Sequence, residues 1–236
     1  YIPAIQAGIA QQESEIQAII DNQDAPTFEN VVEAYERSGA ILDRVSMVLF
    51  NISESDATES LQKIVEEALP LVSVHSDNIF MNPDFFKKVD ALFQNIDNLG
   101  LNQEQKMVLK NLHNSFVKNG IALGEAEQAR MREINLELSS LSNTFGNNLL
   151  AENNAFAEEF GVPISEYGEP MAATEDRATR EKMFKAYASR GNNGNEYDNK
   201  DLMVKMMALR IEKANLLGYE NPAQMILADK MAGNPE

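Results

Sequence analysis

Apolar residues recur at the spacing of an α-helix along almost the whole chain, and this periodicity limits the fold more than any other feature. One stripe comprises Phe28, Val31, Val32, Tyr35, Leu42, Val45, Val48 and Leu49, and the next comprises Leu61, Ile64, Val65, Ala68, Val72, His75 and Ile79. Both follow the i, i+3, i+4, i+7 pattern that places apolar side chains on one helix face. No alternating run of β-branched residues typical of a strand occurs. The sequence therefore predicts an all-α fold.

Capping signals and helix breakers divide this pattern into separate helices. Asn82-Pro83, Asn221-Pro222 and Asn102 followed by Gln105 are typical helix starts. The predicted helices occupy 3–22, 27–52, 57–80, 83–95, 102–119, 124–155, 174–190, 199–217 and 221–231. Segment 160–170 carries two glycines and two prolines, so we expect no helix there. We accordingly expect an N-terminal helical domain over 1–156, a Gly/Pro-rich joint over 157–173 and a further helical segment over 174–236.

The charge of the chain excludes several classes of partner. Its 236 residues include 20 Lys and Arg against 37 Asp and Glu, which gives a formal net charge of -17. A surface this acidic repels nucleic-acid phosphates and anionic lipid head groups, so we expect no nucleic-acid partner. No run approaches the roughly 18 apolar residues of a membrane span, so we expect none. Composition leaves the compartment open between cytoplasm and periplasm.

Few residues could bind a metal or act as a nucleophile. The chain has no cysteine and two histidines, His75 and His113. Neither histidine belongs to an H-E-x-x-H motif or an E-x-x-H pair, so the chain offers too few histidine ligands for a metal site of these types. We expect both to be packed, hydrogen-bonded structural histidines. The glycine-rich phosphate motifs and the G-x-S-x-G nucleophile motif are absent as well. The sequence therefore predicts no catalytic, cofactor-binding or metal-binding residue in this chain.

The remaining charged and sulfur-containing candidates favour structure over function. We expect Glu66-Glu67 and Glu158-Glu159 to lie on solvated helix faces. The i,i+4 pairs Asp176–Arg180, Arg177–Glu181 and Glu181–Lys185 favour helix stabilisation or domain docking over ligand contact. Four of the eleven methionines are interpreted as core fillers rather than as an adaptable groove: Met203, Met206, Met207 and Met225.

Eight segments along the chain resemble, in sequence and in order, segments of a known protein family. They are Tyr1-Ile-Pro-Ala-Ile, Ala25-Pro-Thr-Phe-Glu-Asn-Val-Val, Glu67-Ala-Leu-Pro-Leu-Val-Ser-Val-His, Asn82-Pro-Asp-Phe-Phe, Leu112-His-Asn-Ser-Phe-Val-Lys-Asn-Gly, Ile134-Asn-Leu-Glu-Leu-Ser-Ser-Leu, Asp176-Arg-Ala-Thr-Arg-Glu-Lys-Met-Phe-Lys-Ala-Tyr and Leu217-Gly-Tyr-Glu-Asn-Pro-Ala. In this order they resemble the zinc oligopeptidases of the thimet oligopeptidase, oligopeptidase A and dipeptidyl carboxypeptidase family. The likeness is strongest to bacterial dipeptidyl carboxypeptidases and covers most of the chain.

The resemblance implies the multi-helix N-terminal half of a two-lobed metallopeptidase, with a channel for short peptides between the lobes. The family's H-E-x-x-H motif lies beyond the segment that matches residue 236, so zinc is implied in the parent enzyme and not in this chain. This chain alone should be inactive. Its implied partners are short peptides and its own C-terminal catalytic half. We expect exposed apolar surface where that half docks, and therefore self-association of the isolated chain.

Two further points qualify this interpretation. The interval over 157–173 is shorter than in the family, which marks a possible deletion site. The competing hypothesis is a stand-alone acidic helical module that binds peptides or a protein partner without catalysis. The two hypotheses differ in whether H-E-x-x-H follows residue 236 in the same reading frame. A four-helix carboxylate metal protein is disfavoured because the chain has too few histidines.

Overall fold

The computed structural model describes residues 1–235, and this part of the chain is helical with no strand. The helices are α1 (Ile2–Asp21), α2 (Ala34–Arg37), α3 (Ala40–Ser55), α4 (Glu59–Phe80), α5 (Pro83–Phe93), α6 (Gln103–Lys118), α7 (Glu125–Phe160), α8 (Gly168–Ala173), α9 (Arg177–Ala188), α10 (Lys200–Leu216) and α11 (Pro222–Leu227). A π-helical segment, Phe28–Glu33, precedes α2, and 3₁₀ turns lie at Ile96–Asn98 and Ile164–Glu166. The predicted all-α class is confirmed. Over the described range, every helix is too short or too polar to cross a membrane.

Side-chain caps fix the starts of several helices where the sequence predicts them. The Asn82 side chain accepts the backbone N–H groups of Asp84 and Phe85 at 3.0 Å each, at the start of α5. At the start of α6, Asn102 accepts the N–H of Gln105 at 2.9 Å while the Gln105 side chain accepts the N–H of Asn102 at 3.0 Å. These bonds satisfy donors that have no partner within the helix. The predicted starts of α5 and α6 are confirmed.

The single helix predicted over 27–52 is wrong, because the chain turns at Ser38 and Gly39. Gly39 has a φ of 73°, in the left-handed region that glycine adopts without strain. Its N–H donates to the Glu15 carboxylate of α1 at 2.8 Å, and the Ser38 hydroxyl donates to the carbonyl of Tyr35 at 2.7 Å. Contacts with α1 therefore hold a turn that the apolar periodicity does not reveal.

The expectation that 160–170 contains no helix is wrong at its carboxyl-terminal end. Helix α8 begins at Gly168 and has Pro170 in its first turn. A proline in the first turn lacks only an N–H that would have no acceptor within the helix. The proline therefore permits a short helix directly after the irregular stretch.

Packing divides the described residues into two compact units. The larger unit comprises 1–139 with 211–235, and the smaller unit comprises 140–210. These limits differ from the predicted domain limits at 156 and 174, and that domain division stays a prediction.

The larger unit has two clusters of buried apolar side chains. In the first, Phe116 of α6 makes edge-to-face contacts with Phe80 and Phe85, at centroid distances of 5.3 and 5.2 Å. The second joins α1, α3 and α4 around Leu42. Gly8 allows this close packing of α1 on α3, because a Cβ atom there would lie 2.9 Å from the Cα atom of Leu42.

The smaller unit packs around the carboxyl-terminal part of α7. Phe156 is buried and contacts the rings of Phe160 and Tyr167. Tyr167 in turn stacks on Tyr187 of α9, with ring centroids 4.2 Å apart. These aromatic contacts hold the segment between α7 and α9 against both helices.

Candidate functional site

His75 lies buried on α4 and belongs to a series of hydrogen-bonded side chains inside the larger unit. Its Nε2 atom is 2.8 Å from the side-chain oxygen of Gln12, and the Gln12 amide donates to the Ser38 hydroxyl at 3.3 Å. Its Nδ1 atom has no hydrogen-bond partner among residues 1–235 and lies 3.9 Å from a carboxylate oxygen of Glu13. Burial lowers the pKa of His75, and the Glu13 carboxylate opposes this in part. The predicted packed, hydrogen-bonded histidine is confirmed.

His113 is also packed, on α6. Its ring stacks on Phe93 with centroids 3.9 Å apart, and its Nε2 atom is 3.1 Å from a carboxylate oxygen of Asp90. Each histidine therefore has one ring nitrogen engaged by a different polar side chain. Within the described range, no three His, Cys, Asp or Glu side chains are grouped closely enough to hold a metal ion.

The paired glutamates lie on exposed helix faces, as predicted. Glu66, Glu67, Glu158 and Glu159 are all exposed, and Glu159 forms an ion pair with Lys182. Their positions fit solvated helix surfaces, where ion pairs contribute little to stability.

The charged segment around the start of α9 stabilises the helix, by one of the predicted ion pairs and by other contacts. Asp176 caps α9 by accepting the N–H of Thr179 at 2.9 Å and its hydroxyl at 2.6 Å. These hydrogen bonds lower the pKa of Asp176. Arg180 donates to the carbonyl of Thr174 at 2.6 Å, and Glu181 pairs with Lys185 at 2.6 Å as predicted. The segment therefore acts as a cap and as a local ion pair.

The methionines of α10 line a cleft in the smaller unit. Ser142, Phe145, Met203, Met206, Met207 and Arg210 surround an open volume of about 330 Å³. Met206 is 8% exposed, as expected of a core filler, whereas Met203 and Met207 are 53% and 52% exposed. The core-filler interpretation is therefore wrong for Met203 and Met207, which lie on the outer face of α10.

Arg210 lies at the edge of this cleft. It is exposed, and its guanidinium makes no hydrogen bond or ion pair with residues 1–235. By contrast, the Arg130 guanidinium donates to Glu212 at 2.6 and 2.8 Å. The cleft therefore combines apolar, polarisable side chains with an unpaired cation.

A buried polar network joins α4, α7 and α10 within the larger unit. The Asn135 amide donates to the Asp77 carboxylate at 2.8 Å, and the Lys213 ammonium donates to the Asn135 carbonyl oxygen at 2.6 Å. Burial raises the pKa of Asp77 and lowers the pKa of Lys213. Sequence reasoning missed this network because its members are 58 and 78 positions apart. Local spacing carries no signal for such a contact.

A second buried carboxylate, Glu152 of α7, holds the polar loop after α9. It accepts the N–H of Gly191 and the side-chain amides of Asn193 and Asn195, the latter two at 2.8 and 3.1 Å. The sequence predicts a loop here but does not show that the Glu152 carboxylate binds it. Because three donors engage the carboxylate, the contacts point to a structural role for Glu152.

Comparison with known proteins connects this helical chain to peptidases. The model of peptidase family M3 matches residues 170–236. Over its full length the chain is 30% identical to the dipeptidyl carboxypeptidases of Salmonella typhimurium and Escherichia coli. It is 27% identical, again over its full length, to oligopeptidase A of Escherichia coli. The chain is therefore similar to the peptidases of family M3.

The chain spans only part of the length of these relatives. It covers 39% of each dipeptidyl carboxypeptidase and 40% of the oligopeptidase A. The alignment with the Salmonella protein runs over 268 positions, 32 more than the 236 residues of this chain. The expected shorter interval over 157–173 stays a prediction.

The M3 family is zinc-dependent, and the described residues do not fit a zinc site. A catalytic zinc requires about three protein ligands at one point. His75 and His113 are held in separate packing environments, by Gln12 and by Asp90, and no metal-binding group occurs over 1–235. No step of zinc chemistry can therefore be assigned to these residues.

Proposed function

We propose that this chain is the amino-terminal, non-catalytic part of a zinc-dependent M3 peptidase that hydrolyses short peptides. The observation that carries the proposal is the similarity of the entire chain to peptidases of which it covers about two fifths. The names of these relatives, dipeptidyl carboxypeptidase and oligopeptidase A, describe enzymes that act on peptides. In this proposal the helices of the chain form one wall of the substrate channel.

The zinc belongs to the catalytic half of the longer polypeptide in this proposal. Zinc in peptidases supplies an activated water for attack on the peptide carbonyl. The side chains described here bind no such group, and their contribution is to pack the channel wall and to shape its electrostatic potential. With a net charge of -17, the chain attracts cationic peptides and repels anionic ones over the range of the Debye length.

The proposal is tested by reading the encoding frame beyond residue 236. We expect an H-E-x-x-H motif followed by a further Glu ligand in the same frame. A stop codon directly after residue 236 would contradict the proposal and favour an acidic helical module that binds peptides or a protein partner. In that case, binding of short peptides to the purified chain becomes the property to measure.

A further inference from the structure

The outer face of α10 exposes apolar side chains side by side. Met203, Val204 and Met207 are 53%, 71% and 52% exposed, and Arg210 follows one turn after Met207. We refer to these four residues as the α10 face. Neighbouring exposed apolar side chains on a helix are unfavourable in water and are typical of a surface that another structure covers.

The chemistry of the α10 face defines what covers it. The adjoining cleft of about 330 Å³ is lined by the same methionines and by Phe145. Methionine side chains are flexible and polarisable, so they adapt to an apolar partner surface. Arg210 has no partner over 1–235 although the chain carries 37 acidic residues. A guanidinium at the rim of an apolar contact pairs well with a carboxylate, in a planar two-bond geometry.

The family match indicates which structure covers the α10 face. Residues 170–236 match the M3 peptidase model, so α10 lies in the part of the chain that is recognised as peptidase. Another exposed apolar surface, at Met47 and Val48 of α3, lies outside that part. The relatives are more than twice as long as this chain, and in the proposed function the remainder of the peptidase region must pack on the described helices.

We propose that the α10 face packs against the catalytic remainder of the same polypeptide, and that a carboxylate of that remainder pairs with Arg210. This inference rests on the proposed function, because it requires a longer polypeptide. The apolar side chains provide the contact area, and Arg210 fixes the register of the packing. A second copy of the chain and a bound peptide are the alternatives that the experiment must separate.

Thiol labelling tests the proposal directly, because the chain contains no cysteine. Val204→Cys is introduced into the 236-residue chain and into the product of the complete reading frame, and the labelling rate at position 204 is followed by mass spectrometry. We expect labelling to be at least about tenfold slower in the longer polypeptide, since a covered thiol reacts only on opening. Met107→Cys, at an exposed position on α6, serves as the matched control and should react equally fast in both proteins.

Each contrary outcome has a distinct meaning. Equal labelling of Val204→Cys in both proteins would overturn the proposal. Protection of position 204 that appears in the longer polypeptide only at high concentration would assign the α10 face to a second copy instead. Protection that appears there only on adding a short peptide would assign it to a ligand. A longer polypeptide that protects position 204 but has no peptidase activity would overturn the proposed function and not the surface. An active one that leaves position 204 unprotected would overturn only the surface.

The ion pair is tested by Arg210→Gln. We expect this variant to lower the thermal midpoint of the longer polypeptide and to leave that of the 236-residue chain unchanged. Arg177→Gln, an exposed arginine of α9, is the control and should affect neither. A loss of stability in the 236-residue chain itself would show that Arg210 serves the smaller unit and would contradict the assigned pairing.

Discussion

Gly8 determines how closely α1 approaches α3 in the larger unit. A Cβ atom at this position would lie 2.9 Å from both the Cα and the backbone nitrogen of Leu42, so the backbone would have to move. We expect Gly8→Ala to lower the free energy of unfolding by about 1–3 kcal/mol, the usual cost of overpacking. Urea denaturation monitored by circular dichroism measures this change.

A second helical glycine provides the control for this prediction. Gly146 lies on an exposed face of α7, and a Cβ atom there would meet no atom within 4 Å. Gly146→Ala should therefore raise the free energy of unfolding by roughly 0.5–1 kcal/mol, because alanine favours the helix. If both variants stabilised the protein, the close approach of α1 and α3 would be refuted.

The buried imidazole of His75 makes stability depend on pH. Its pKa is lowered below the ordinary value of 6.5, so the unfolded chain binds a proton that the folded chain resists. The stabilising contribution is complete above about pH 6.5 and is lost as the pH falls below that value. The free energy of unfolding should therefore fall between about pH 7 and pH 5.5.

His75→Gln isolates this contribution. The glutamine amide can still donate to Gln12 but does not titrate, so the pH dependence over this interval should become flatter. Asp77, whose pKa is raised by burial, titrates in both proteins and cancels in the comparison. Urea midpoints at several pH values give the two slopes. Equal slopes would contradict the role assigned to His75.

At the scale of elements, the capping box of α6 is a local stabilising device. Asn102 and Gln105 exchange hydrogen bonds between side chain and backbone at the first turn. Asn102→Ala should lower the free energy of unfolding by about 1 kcal/mol, whereas Asn102→Ser should lose little, because serine also caps. Equal stability of the alanine and serine variants in urea denaturation would argue against the cap.

The loop after α9 depends on a single carboxylate of α7. Glu152 accepts hydrogen bonds from Gly191, Asn193 and Asn195, and Glu152→Ala would leave these three donors without their acceptor. We expect faster hydrogen exchange at the Gly191 amide and in the neighbouring loop, with α4 to α6 unchanged. Glu158→Ala, on an exposed face of the same helix, should leave loop exchange as in the native chain.

Helices with local signals could be predicted from the sequence, and features that depend on distant contacts could not. Asn82 and Asn102 cap α5 and α6 where their neighbours in the sequence indicate it. The turn at Gly39 escaped prediction because a carboxylate of α1, 24 positions earlier, holds it. The prediction that no helix forms near Pro170 was wrong, because the proline lies in the first turn of α8.

The same limit applies to the candidate site. The packing of His75 follows from its place on an apolar stripe, and the structure confirms it. The Asp77–Asn135–Lys213 network and the exposure of Met203 and Met207 depend on which helix faces meet in three dimensions. Helical periodicity marks an apolar face without showing whether this chain or another structure covers it.

For the whole molecule, the proposed function places the zinc and the catalytic residues in a further part of a longer polypeptide. The exposed apolar side chains of the α10 face, Met203, Val204 and Met207, provide surface for such a part. Self-association of the isolated chain through this surface stays a prediction. It is checked by sedimentation velocity over a range of concentrations, and a strictly monomeric species at high concentration would contradict it.

The most direct measurement of the central claim is peptide hydrolysis by two proteins purified in parallel, the 236-residue chain and the product of the complete reading frame. Short peptides are incubated with each, with and without a zinc chelator, and the products are identified by mass spectrometry. We predict chelator-sensitive cleavage by the longer protein and neither cleavage nor stoichiometric zinc in the 236-residue chain. Chelator-sensitive cleavage by the pure 236-residue chain, or a longer protein that leaves every peptide intact, would contradict the assignment of this chain as the non-catalytic part of an M3 peptidase.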